Sequence, residues 1–95
     1  MLSLPRLRVL SELSRRGTIA ATARALSYTP SPVSQQLALL EREAGVPLLE
    51  RVGRGVRLTD AAAVLVEHTT AVMARLDLAE SELAASQREL RGRMR

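Results

Sequence analysis

From Asp60 to Arg91 the chain contains neither glycine nor proline. Nothing in this stretch breaks a helix, so it predicts one helix of roughly 30 residues, about 45 Å long. Along it Leu65, Thr69, Val72, Leu76, Ala79, Leu83, Ser86 and Leu90 alternate four and three residues apart. That is the spacing of a heptad seam. A chain of 95 residues has room for one modest core, and a helix this long outruns any body it can build. The seam needs a further partner, and a second copy of the chain is the simplest. Leu65, Val72, Leu76, Ala79 and Leu83 are therefore the candidate dimerisation residues.

The residues ahead of that helix are also mainly helical in pattern. There is no Phe or Trp, and Tyr28 is the single aromatic, so the core must be Leu, Val and Ala. Such a core suits packed helices better than sheets. A first helix is expected over Leu4 to Arg16, with Ser3 as a possible cap, Pro5 in the first turn and Gly17 at the end. Its stripe is Leu4, Leu7, Leu10 and Leu13, with Val9 beside it. Thr18 caps a short second helix carrying Ile19, Ala23 and Leu26, and Ser27-Tyr28-Thr29 forms a tight turn.

The third helix opens on "TPSPVSQQL" and ends at Gly45. Thr29 or Ser31 can cap it, and the aversion of a residue before proline to helical angles favours the later start. Val33, Leu37, Leu40 and Ala44 share the core face, while Ser31, Gln35, Ala38 and Arg42 point away, with Ser34 at the flank. "VPLLERVGRGVRLT" then predicts a β-hairpin, Leu48 to Val52 and Val56 to Leu58, bearing Arg51, Arg54 and Arg57. Thr59 caps the long helix, with Asp60 in its first turn.

Three helices followed by a hairpin make a winged helix-turn-helix, a mainly α fold whose second helix-turn-helix element enters the DNA major groove. The opening of helix 3 fits that task. Prolines in a first turn cost little and stiffen it, small side chains at Thr29 and Ser31 permit close approach, and free N–H groups favour a phosphate. Ser34 and Gln35 supply polar groups one turn further in, and glutamine can pair with adenine. An ordinary capped helix start uses the same residue types; the basic wing behind it sets this one apart.

Charge points the same way. Every basic residue is arginine, and the net charge is +4. Residues 1–59 hold nine arginines against four acids, a net +5, whereas residues 60–95 hold five against six, a net −1. A basic half joined to a near-neutral one suggests a nucleic-acid face coupled to something else. With one aromatic there is no stacking platform for single strands, so duplex DNA is the expected partner.

Other classes fare worse. The lone His68 has no Cys and no second His to build a metal cluster or catalytic dyad, and "VGRGVR" lacks the lysine of a phosphate loop. Neither an enzyme nor a cofactor or metal protein is expected. No apolar run reaches membrane-spanning length and no signal-peptide core precedes helix 1, so a cytoplasmic location with no membrane partner is expected. The remaining alternative is a winged-helix protein–protein module that works through the heptad helix.

The stretch "GTIAATARALSYTPSPVSQQLALLEREAGVPLLERVGRGVRLTDAA" resembles the DNA-binding domain of LysR-type transcriptional regulators. The landmarks are Gly17-Thr18, Ala23, Leu26, Ser34-Gln35-Gln36-Leu37, Leu40-Glu41, Gly45 to Arg51 and Arg57 to Ala61. The resemblance implies a bacterial, dimeric, sequence-specific regulator that binds an interrupted inverted repeat. Residues 1–59 would be its DNA-binding domain and residues 60–95 its linker and dimerisation helix. It implies base-edge or groove contacts from Thr29, Pro30, Ser31, Pro32, Ser34 and Gln35, and backbone contacts from Thr18, Gln36, Arg51 and Arg54. A small-molecule effector would act only through the family's C-terminal domain, which these residues do not include. Pro30 and Gln35 depart from the family pattern, which commonly has glutamine and arginine there.

Overall fold

The computed structural model describes the backbone of residues 1–93 and the side chains of residues 1–89. The order of elements is α1 (Leu4–Arg16), α2 (Ile19–Ala25), α3 (Pro30–Ala44), β1 (Leu49–Val52), β2 (Gly55–Leu58) and α4 (Asp60–Arg93). This is a winged helix-turn-helix followed by one long helix, and the molecule measures 64 × 26 × 18 Å. The hairpin lies within a residue of its expected bounds.

The core is small and purely aliphatic. Val9, Leu10 and Leu13 of α1 meet Ala23 of α2, Val33, Leu37 and Leu40 of α3, Leu48 before β1 and Ala62 of α4. Burying each of these leucines is worth about 1.5–3 kcal/mol, so three helices and the root of the wing are held by few side chains. α1 lies at the centre, packed against α2, α3 and α4. Leu7 and Leu4 extend its stripe only half-buried.

Polar contacts lock the joints. Thr22 and Thr69 are buried, and their hydroxyls donate to the carbonyls of Thr18 (2.8 Å) and Leu65 (2.7 Å). Thr59 joins the wing to α4: its N–H donates to the Leu48 carbonyl, its hydroxyl donates to the Pro47 carbonyl, and the same oxygen accepts from the Ala62 N–H. Ser3 precedes α1 but its side chain makes no cap bond; its N–H instead donates to Glu43 at the far end of α3.

The expected later start of α3 is not what forms. Thr29 is the N-cap, and Pro30, Ser31 and Pro32 are the first three helical residues. The reason lies in position. In a first turn a proline forfeits no helical hydrogen bond, and the ring of Pro32 meets no helical carbonyl four residues back, because Tyr28 lies outside the helix. The turn ahead of α3 places Ser27 at φ +59°, the one non-glycine in the left-handed region among the described residues, and the Tyr28 N–H closes it on the Ala23 carbonyl at 2.7 Å.

Val52 pairs with Gly55, so Gly53 and Arg54 alone make the wing's turn. Gly53 has φ +59° and Arg54 has a negative φ, the combination of a type II′ turn, whose first central position favours glycine. Arg54 is thereby carried at the tip. No helix among the described residues is long and apolar enough to cross a membrane.

α4 divides into two environments. Ala62 and Thr69 are buried and Leu65, Val66 and Met73 half-buried, whereas every residue from Ala74 to Glu89 is exposed. The first positions of the heptad seam therefore serve the chain's own body. Val72, Leu76, Ala79 and Leu83 lie open, and Leu90 lies outside the described side chains.

Candidate nucleic-acid interface

The exposed face of α3 is the face expected from its periodicity. Ser31, Ser34, Gln35, Ala38 and Arg42 are all exposed, opposite the buried Val33, Leu37 and Leu40. Beside it lies an open cleft of about 560 Å³ with the start of α2 on one side and the wing on the other. Thr18, Ser34, Ala38, Arg51 and Arg54 line it together, so residues spread over 37 positions of sequence converge on one concave surface. Thr29, Pro30, Ser31, Pro32 and Gln35 lie on the same helix's exposed leading part without lining the cleft.

Two of the expected contacts look different in place. Gln36 is half-buried, and its side-chain oxygen accepts from Arg6 Nε of α1 at 3.0 Å, so part of its hydrogen-bonding capacity is used inside the protein. The leading end of α3 was expected to offer several free N–H groups to a phosphate. Because the helix starts at Pro30, only Ser31 among its first three residues can donate. That weakens phosphate capture there and leaves recognition to side chains.

The wing is fixed by a residue that the sequence marks only faintly. Glu41, half-buried on α3, accepts from the N–H groups of Leu48 (2.8 Å) and Leu49 (3.3 Å). Charge-assisted bonds of this kind are roughly twice as strong as neutral ones, so the wing's root is tied to α3 itself. The available signal was the pair of backbone donors after Pro47, which precede the strand and need a partner. Arg6 works similarly from α1: besides Gln36 it reaches Glu43 at 2.7 Å, bracing α3 against α1.

The electrostatic outcome is one-sided. All four glutamates of residues 1–59 are engaged: Glu12 by Arg15 and Arg16, Glu43 by Arg6, Glu50 by Arg57 across the hairpin, and Glu41 by backbone N–H groups. Arg8, Arg24, Arg42, Arg51 and Arg54 make no ion pair among the described residues. Of the three wing arginines, then, Arg57 is spent on Glu50 while Arg51 and Arg54 flank the cleft unpaired. No cluster of metal-binding side chains occurs among the described residues.

Residues 4–63 match the model of the bacterial regulatory helix-turn-helix proteins of the lysR family. This chain belongs to that family. It is 34% identical to the HTH-type transcriptional regulator BudR of Klebsiella aerogenes over 88 residues, 93% of this chain and 62% of that one. It is 32% identical to the regulator YofA of Bacillus subtilis over 89 residues, 94% of this chain and 31% of that one. This LysR-family chain thus spans less than two thirds of the length of these relatives. Among solved structures, the DNA-binding domain of CbnR in complex with DNA superposes with a TM-score of 0.83 at 27% identity, covering 90% of this chain and 98% of that one. Full-length LysG of Corynebacterium glutamicum gives 0.82 at 26% identity, over 90% of this chain and 29% of that one.

Proposed function

We propose that this chain binds double-stranded DNA sequence-specifically, as a homodimer on an interrupted inverted repeat. α3 enters the major groove, where Thr29, Pro30, Ser31, Pro32, Ser34 and Gln35 face base edges. Thr18, Arg51 and Arg54, with the free part of Gln36, hold the phosphate backbone on either side. The observation that carries this reading is the cleft: an exposed, slim helix face with α2's start on one flank and two unpaired arginines on the other. The match to a CbnR domain solved on DNA supports it.

The dimer is assigned to the free part of α4. Val72, Leu76 and Leu83 are 44%, 42% and 61% exposed at heptad spacing, and a soluble helix does not keep such a row bare without a partner. Residues 60–87 carry one arginine against five acids, so this stretch lies away from the phosphates while residues 1–59 face them. A two-fold dimer places its two α3 helices in a two-fold relation, and half-site centres then fall about 10 bp, or a whole multiple of that, apart.

The test is binding to duplex DNA across a salt series. Each phosphate neutralised should contribute about −0.9 to the slope of log affinity against log salt. A protein–protein module would show no such slope. Inserting five base pairs between half-sites turns one by about half a turn, and affinity should fall towards that of a single half-site. Undiminished affinity would mean that α4 does not set the spacing.

A further inference from the structure

Three helices of this chain begin at a threonine, and one of those threonines does not cap. Thr18 accepts from the N–H of Ala21 at 3.1 Å, and Thr59 accepts from the N–H of Ala62 at 3.2 Å. Each partner is the third residue of its helix. In α3 that residue is Pro32, which has no N–H, and Thr29 makes no side-chain cap bond. Its hydroxyl is exposed and uncommitted.

Beside it stands the exposed ring of Pro30. Pro30, Ser34 and Ala38 are spaced four apart and form one row on α3, and Ser34 and Ala38 line the cleft beside the wing. Pro32 lies about 200° round the helix axis from Pro30. It heads the row of Gln36, which is held by Arg6 of α1. On the cleft side, therefore, the leading edge of α3 presents a hydroxyl and a methylene ring next to each other, with no amide and no charge. Thymine is the base whose major-groove edge sets an acceptor, O4, beside a methyl group.

We propose that Thr29 and Pro30 together read a thymine in each half-site, the Thr29 hydroxyl donating to O4 and the Pro30 ring packing on the C5-methyl. This rests on the reading of α3 as the helix in the major groove.

The experiment uses the half-site selected from random duplex DNA and replaces its thymines one at a time with deoxyuridine, which removes only the methyl. One thymine should cost about fourfold in affinity per half-site, the worth of one buried methyl-sized group. This arm alters the DNA alone, so it does not depend on a variant folding. Pro30→Ala should abolish the sensitivity and Pro32→Ala should keep it. Thr29→Val should bind about fivefold more weakly, the worth of one hydrogen bond, and still respond to deoxyuridine. A chain that bound its selected site but ignored every deoxyuridine would overturn the contact and leave the docking of α3 intact. So would methyl sensitivity that survived Pro30→Ala, or full affinity in Thr29→Val. A chain with no preference for any duplex would overturn the docking and this contact with it.

Discussion

The two parts of α4 carry the same four–three spacing and meet opposite surroundings. Near its start, Leu65 packs against the core and Thr69 is buried beneath it, its hydroxyl satisfied by the Leu65 carbonyl. Beyond Met73 the same row continues as Leu76, Ala79 and Leu83 with nothing of this chain over it. The contrast separates two questions that a hydrophobic pattern merges. Periodicity tells which face of a helix is apolar; it does not tell what covers that face. A body of three short helices and a two-stranded wing is too small to cover more than the first turns of a 34-residue helix. The rest must be covered by another chain or stay bare.

That contrast can be broken most sharply at the open end. Changing Leu76 and Leu83 together to Asp would bury two unpaired charges in the seam, at a cost of several kcal/mol. Sedimentation should show self-association lost while the body melts as before. A wild-type chain that stays monomeric at high micromolar concentration with α4 intact would remove the assignment. The closed end should respond the other way. Leu40 is fully buried, and Leu40→Ala should cost about 2–5 kcal/mol of unfolding free energy by denaturant titration. Under dilute, monomeric conditions Leu83→Ala should cost nothing measurable, because no side chain of its own chain covers it. A smaller effect is expected at Glu41→Gln. Its carboxylate loses the charge that strengthens two bonds to the wing's root, a loss of about 1–3 kcal/mol. Hydrogen exchange should then speed up at Leu48 and Leu49 before it does in α1.

Much of this was legible in the residues. The bounds of α1, the Thr18 and Thr59 caps, the wing and the exposed face of α3 all follow from local rules of spacing, capping and turn chemistry. What was not legible depends on distance along the chain. Glu41, Arg6 and Glu43 act on partners 7 to 40 residues away, and no local pattern encodes such a bond. Leu65 looked equivalent to Leu76 because both sit on the seam, and only the packing of α1 distinguishes them. The start of α3 was misjudged for a different reason. The rule against a helical residue before proline is a tendency, and it yields where the proline stands in the first turn and forfeits no bond.

The central claim is that α3 reads bases while the wing arginines hold phosphates. Its most direct test compares Gln35→Ala with Arg54→Ala on selected and random duplexes across a salt series. Gln35 is exposed on α3, and Arg54 is at the wing's tip with no ion pair among the described residues. Gln35→Ala should lower the ratio of specific to random affinity by about 1–3 kcal/mol and leave the salt slope unchanged. Arg54→Ala should weaken both duplexes alike and reduce the slope by about one. If Gln35→Ala left the ratio of specific to random affinity unchanged, α3 would not be the element that reads the sequence.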